Sequence, residues 1–281
     1  KSLLKLHNIK IMNANYIKNR EPDIKRRFQR NRLYRILAVV VIVFALSGIV
    51  YPASYRFFGY NNFSLLAMEI LPWIIGYLAI KSEGIDLNKV GGSARHLARA
   101  LAIIIYTHLG FFLLVWVLRT TGVIYGEFIK PFSLWWLFDN WVLTGFGEEL
   151  LFRGFLLVSI ARWFNRKGFP FTALLVSSVI FALYHLPFSL WIGKSGIPLV
   201  MDIFLPFASS LVFGLAYVSS SNLWLAAFLH GVTDYPLSPL IKSNPFLGLL
   251  FMGTAILLGK YFLNPGNELP LEDSNKSRKV G

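Results

Sequence analysis

The chain has 281 residues, 55% of them hydrophobic and only 15% charged, with a mean hydropathy of +0.55. A typical soluble domain carries about 25% charged residues, and several apolar runs here reach or approach the roughly 20 residues needed to cross a bilayer. A soluble domain is excluded, and so is a transmembrane barrel, whose strands would read as short alternating segments.

The net charge of +14 does not point to nucleic acid. Eleven of the 28 Lys and Arg lie in the first 35 residues, beside only Glu21 and Asp23. Clustering of this kind next to a first apolar helix is the positive-inside signal and suits an anionic cytoplasmic leaflet. The sequence holds no Cys, which removes disulfides, a thiol nucleophile and thiolate metal ligands.

Residues 1 to 32 are basic, with a weak amphipathic pattern (Leu3, Leu4, Leu6, Ile9, Ile11), and read as a cytoplasmic arm lying partly on the membrane surface. Because the sequence begins at Lys1 rather than Met, upstream residues are expected. A first span runs from about Tyr34 to Tyr51, with Pro52 expected to end it. A second, near Phe63 to Ile80, carries Glu69 and Pro72, and a third covers about Leu97 to Leu118. The fourth is long, about Pro131 to Trp163. The fifth, about Phe171 to Leu186, is expected to stop at Pro187, with a loop or re-entrant piece over 187–197. The sixth, about Pro198 to Ser219, is expected to break at Pro206. A short seventh (about Leu223 to Tyr235) and an eighth (about Pro245 to Leu263) precede a polar tail.

With the N-terminus inside, the inner segments hold 22 basic residues and the outer loops five: Arg56, Arg119, Lys130, Lys194 and Lys242. That bias predicts about eight spans with both ends cytoplasmic. The expected fold is an all-α polytopic transmembrane helical bundle. Its parts are an arm (1–32), N-terminal helices (33–128), a core of four to five helices (129–240) that holds the polar clusters described next, a last helix (241–264) and a tail (265–281). A prokaryotic cell membrane is the expected location.

Within the fourth span, Gly147-Glu148-Glu149-Leu150-Leu151-Phe152-Arg153-Gly154 places two carboxylates and a guanidinium in an apolar run. An ionised group at the bilayer centre costs roughly 2.5–3.5 kcal/mol on insertion scales, so it is a functional candidate by default. Glu149 and Arg153, four apart, can form one neutral pair between helices. That leaves Glu148 needing partners.

Two further clusters interrupt apolar helices: Phe181-Ala182-Leu183-Tyr184-His185 and His230-Gly231-Val232-Thr233-Asp234. At about 1.5 Å per residue, Glu148 lies about 21 Å and His185 about 22 Å from the inner helix ends. His230 and Asp234 fall at about 12 and 18 Å, on one helix face. The polar groups of three helices therefore share one layer. Glu69, His108, Asp139 and Asp202 look isolated, as snorkelling or interhelical contacts, with Glu69 a possible auxiliary.

A buried glutamate and a histidine can activate a water between them. Glu148 would be the general base, and His185 would hold the same water and protonate the leaving amine. A second histidine would stabilise the oxyanion. Glu149 and Arg153 would orient the motif. This chemistry is amide hydrolysis without a covalent intermediate.

EELLFRG, FALYH and HGVTD, in that order on successive helices, resemble the EExxxR, FxxxH and HxxxN/D motifs of the CPBP family. These are the CAAX-protease and bacteriocin-processing (Abi) intramembrane glutamic endopeptidases, which include the Rce1-like prenyl-protein proteases. The likeness covers about residues 130 to 240. It implies that Glu148 and His185 activate water and that His230 and Asp234 form the oxyanion side, with Glu149, Arg153 and Phe181 in support. CAAX-processing members have Asn where this chain has Asp234. An ionised Asp cannot donate to an oxyanion, so either Asp234 is protonated in its buried setting or, the favoured reading, it accepts from His230 and makes that residue a better donor.

No cofactor and no nucleic-acid partner is expected. The expected partners are membrane lipids and a peptide or protein substrate in or at the membrane. Two other readings compete with a metal-independent protease. One adds zinc, held by Glu148, His185 and His230. The other is non-catalytic, with the polar layer serving a transporter or a peptide-immunity scaffold.

Overall fold

The computed structural model describes residues 29–59, 62–125, 133–164 and 170–263, with the backbone alone over 62–67. The basic arm up to residue 28 and the tail from 264 lie outside these residues. Eight helical rods follow one another, and no strand occurs among the described residues. They are α1 (Gln29–Phe58), α2 (Asn62–Ser82), α3 (Ala94–Thr120), α4 (134–164), α5 (Phe171–Trp191), α6 (Gly196–Ser220), α7 (Leu223–Asp234) and α8 (Pro245–Leu263). Five of them, α1, α3, α5, α6 and α8, are long and apolar enough to cross a membrane. The protein is an all-α integral membrane bundle.

On α3, Ala100, Ile103, Ile104, Thr107, Phe111 and Val115 are buried, while Leu101, Ile105, Leu109, Leu113 and Trp116 are exposed. The outward stripe is as apolar as the inward one, which fits a helix facing hydrocarbon rather than water. The bundle is centred on α4, which packs against α2, α5 and α7, while α7 also touches α3 and α6. Every residue from 145 to 162, and from 225 to 232, is buried.

Four expected boundaries are corrected. Pro52 does not end the first helix: Tyr51 donates to the Leu46 carbonyl, five residues back, across a π-helical turn at Leu46–Val50. The wider turn accommodates a proline ring that would clash with an ordinary α-helical carbonyl. Pro206 lies inside α6, which continues unbroken, as membrane helices allow when neighbours satisfy the freed backbone groups. The chain also stays helical past Pro187, because after a turn at His185 the proline occupies the first turn of Leu186–Trp191, where it costs no hydrogen bond. Residues 29–32, assigned to the arm, are already helical.

Candidate active site

The turn between α6 and α7 sets the register of the third motif. Ser221 adopts a left-handed conformation, φ 51°, and Asn222 caps α7 by accepting from the Leu225 amide at 3.1 Å. The Asn222 side chain also donates to the His96 carbonyl of α3 at 3.0 Å. These bonds fix where α7 starts, and so the level of His230 two turns further on.

His230 is held on both edges. Its Nδ1 lies 3.0 Å from Glu149 Oε1, and its Nε2 lies 3.3 Å from Asp234 Oδ2 and 3.8 Å from Glu148 Oε2. Both ring nitrogens thus face carboxylates, and both can donate at once only when each carries a proton. Phe213 of α6 stacks on the ring, centroids 4.7 Å apart at 17°.

Arg153 forms the floor. Its Nη1 donates to Glu149 Oε1 at 2.8 Å, and its Nη2 donates to the Ser210 carbonyl at 2.8 Å and hydroxyl at 2.7 Å. The guanidinium carbon lies 5.0 Å from the Phe181 ring centre and 5.6 Å from that of Phe213. A planar fork with this many donors suits both the carboxylate and the serine.

Side-chain exposure rises across the layer from Glu149 at 0% to Glu148 at 11% and Asp234 at 39%. Glu149 is sealed in the interior, and Asp234 stands at the open end.

His185 sits at the turn between the two halves of α5. Its Nδ1 pairs with the Phe181 carbonyl at 2.9 Å. A carbonyl can only accept, so this bond places the proton on Nδ1 and leaves Nε2 as an acceptor. Phe181 packs on the rings of both histidines, 4.9 Å from His185 and 5.8 Å from His230. No direct hydrogen bond or ion pair joins His185 to Glu148 among the described residues.

Four groups expected to be isolated divide. Glu69 enters the layer from α2: its carboxylate bonds Thr144 and lies within electrostatic range of Glu148. Asp202 pairs with Lys194 at 2.6 Å and accepts from Ser189 at 2.8 Å. His108 and Asp139 are buried, and the His108 ring packs between Trp141 and Phe251.

The zinc arrangement is not assembled. Among the described residues no group of three His, Asp or Glu is placed to hold one metal ion. Glu148, His185 and His230 are among the residues that form no such group.

Three partners were not read from the sequence. Ser210 looked like any small polar residue on an apolar helix. The bond from Glu149 to His230 depends on how α4 and α7 are rotated about their axes. Tyr184, one residue before His185, shares a 2.5 Å hydroxyl contact with Tyr51 of α1. Only a buried-tyrosine count on both helices could have signalled that contact.

Fold and site together define an intramembrane helical bundle with a buried glutamate–histidine layer. A family model described as type II CAAX prenyl endopeptidase Rce1-like matches residues 130–236, the stretch that supplies every group from Glu148 to Asp234. Residues 130–236 thus carry an Rce1-like endopeptidase domain. No curated protein and no solved structure matches the chain.

Proposed function

We propose that the protein is a metal-independent intramembrane glutamate endopeptidase acting on a membrane-associated or lipid-modified peptide. The observation that carries this reading is the convergence of Glu148, Glu149 and Asp234 on His230, inside the segment matched by a protease family.

Glu148, buried in the middle of the layer, accepts a proton from a water that His185 orients through Nε2. The water oxygen bonds to the scissile carbonyl carbon, and the carbonyl electron pair moves onto its oxygen. The His230 Nε2–H, held in the resting site by Asp234 3.3 Å away, turns to that oxyanion as it forms. As the C–N bond breaks, the proton taken by Glu148 passes, directly or through His185, to the leaving amine. Glu149 and Arg153 take no part in bond making. They orient His230, since a base or electrostatic donor must lie within hydrogen-bond reach of the group it serves.

The experiment is incubation of the purified protein in detergent with an internally quenched peptide carrying a prenylated CAAX-type tail, with products identified by mass spectrometry. In parallel, membrane proteomes of cells with the wild-type and Glu148→Ala proteins identify peptides that remain uncleaved. A defined cut that Glu148→Ala abolishes is expected. Cellular phenotypes that survive both Glu148→Gln and His185→Ala would instead identify a binding scaffold or transporter.

A further inference from the structure

His185 owes its orientation to a break in α5. Its amide donates three residues back, to the Ala182 carbonyl at 3.2 Å, and Pro187 has no N–H to offer the Leu183 carbonyl. The tightened turn leaves the Phe181 carbonyl to the His185 ring, whose Nδ1 pairs with it at 2.9 Å. The direction of Nε2 therefore depends on the shape of this turn.

The turn is gripped from α1, a helix outside the matched stretch 130–236. Before the break, Tyr51 and Tyr184 share the hydroxyl contact of 2.5 Å, with their rings edge to face at 6.2 Å. After it, Gly48 packs so closely that a Cβ there would lie 3.2 Å from the Pro187 Cβ. Beyond the proline, the Tyr55 ring meets Trp191 edge to face at 5.7 Å. Gly48 belongs to the π-helical turn Leu46–Val50, and Tyr51 follows it directly. Such turns are frequent at functional sites.

The protons of the tyrosine pair run one way. Tyr51 donates to the Met68 carbonyl of α2 at 3.3 Å, and a carbonyl can only accept. With its one proton so used, Tyr51 accepts from Tyr184. Both tyrosines are buried, both lie within electrostatic range of Glu148, and the Tyr184 ring is 5.2 Å from that of His185.

From this we infer that Tyr51 is a positioning residue for the reaction: through the Tyr184 hydroxyl it holds the break in α5 that aims His185. The inference rests on the endopeptidase reading above, in which His185 orients the water, and extends the site to the N-terminal helices. It also carries an asymmetry. Removing the Tyr51 hydroxyl strands a buried donor on Tyr184, whereas removing the Tyr184 hydroxyl leaves Tyr51 its bond to Met68. Removing both strands nothing, so stability should return while the hold on the break stays lost.

The test uses the full-length protein in detergent as wild type, Tyr51→Phe, Tyr184→Phe and the double variant. For each, kcat and KM on a quenched prenylated CAAX-type peptide are measured beside Tm. Nitrogen NMR of isotope-labelled histidine follows the His185 ring, its signal recognised by its absence from His185→Gln. Tyr51→Phe is expected to lower kcat by roughly tenfold, for a displacement well under about 1 Å, with KM unchanged, and to shift the His185 signal. The double variant should regain the wild-type Tm and keep the low kcat and the shifted signal. A double variant that recovers kcat together with Tm overturns the inference, because the pair is then only a staple. So does Tyr51→Phe with the wild-type kcat and an unshifted His185 signal. If no protein cleaves the peptide but the His185 signal shifts in Tyr51→Phe and in the double variant, the positioning stands and the protease reading falls.

Discussion

Glu149 Oε1 lies 3.0 Å from His230 Nδ1 and 2.8 Å from Arg153 Nη1, so one buried oxygen ties the first motif to the third. The second glutamate of the pair is the joint between α4 and α7, and the first remains free to face the open side. Removing the joint leaves Arg153 buried without its counter-charge. Glu149→Ala is expected to cost about 3–5 kcal/mol, as for a buried pair broken on one side. That should appear as a fall in Tm on the order of 10 °C in detergent. Glu149→Gln keeps an acceptor for His230 and should fall between alanine and the wild type. A Glu149→Ala protein with unchanged Tm would show that the joint carries no stability.

Arg153 is not replaceable by lysine. Its two Nη2 bonds to Ser210 and its position over Phe181 and Phe213 need a planar fork. Arg153→Lys keeps the charge and loses the fork, and is expected to destabilise by about 1–3 kcal/mol. Ser210→Ala removes only the hydroxyl contact and should cost less. Thermal unfolding of the two variants side by side checks the order.

How much of this was legible in the residues differs by element. The EELLFRG, FALYH and HGVTD clusters stood out because charge is rare in apolar helices, and helical rise alone put them in one layer. His230 does meet Glu148 and Asp234 there. Rotation about the helix axis is what rise cannot supply, so the pairing of Glu149 with His230, and of Arg153 with Ser210, appeared only in the structure. The prolines misled for a related reason. Pro52 and Pro206 were read by soluble-helix rules, whereas a π-helical turn at Leu46–Val50 and packing against neighbours keep α1 and α6 continuous.

Close helix approach around the site depends on missing side chains. A Cβ on Gly231 would lie 2.6 Å from the Trp141 Cα, and one on Gly145 2.6 Å from the Ala227 carbonyl oxygen. Both clashes are with backbone, so α4 and α7 would have to separate. Gly231→Ala and Gly145→Ala are each expected to cost about 1–3 kcal/mol by overpacking and to lower cleavage by displacing His230. Gly253→Ala, with nothing within 4 Å of the added atom, is the control and should unfold with the wild type.

Metal dependence offers an independent check. With Glu148, His185 and His230 forming no group placed to hold a metal ion, cleavage is expected to continue at an unchanged rate after prolonged chelation. Elemental analysis should find zinc well below one ion per chain. Stoichiometric zinc whose removal stops cleavage and whose return restores it would establish the zinc site instead.

The role of Glu148 stands or falls on a rate comparison between the wild-type protein and Glu148→Ala, both confirmed folded by their Tm, on one prenylated CAAX-type peptide. Loss of a general base is expected to lower kcat by about 10²–10⁴-fold while the protein remains intact. A folded Glu148→Ala protein that cuts the same bond at the wild-type rate would contradict the assignment of Glu148 as the base that activates water.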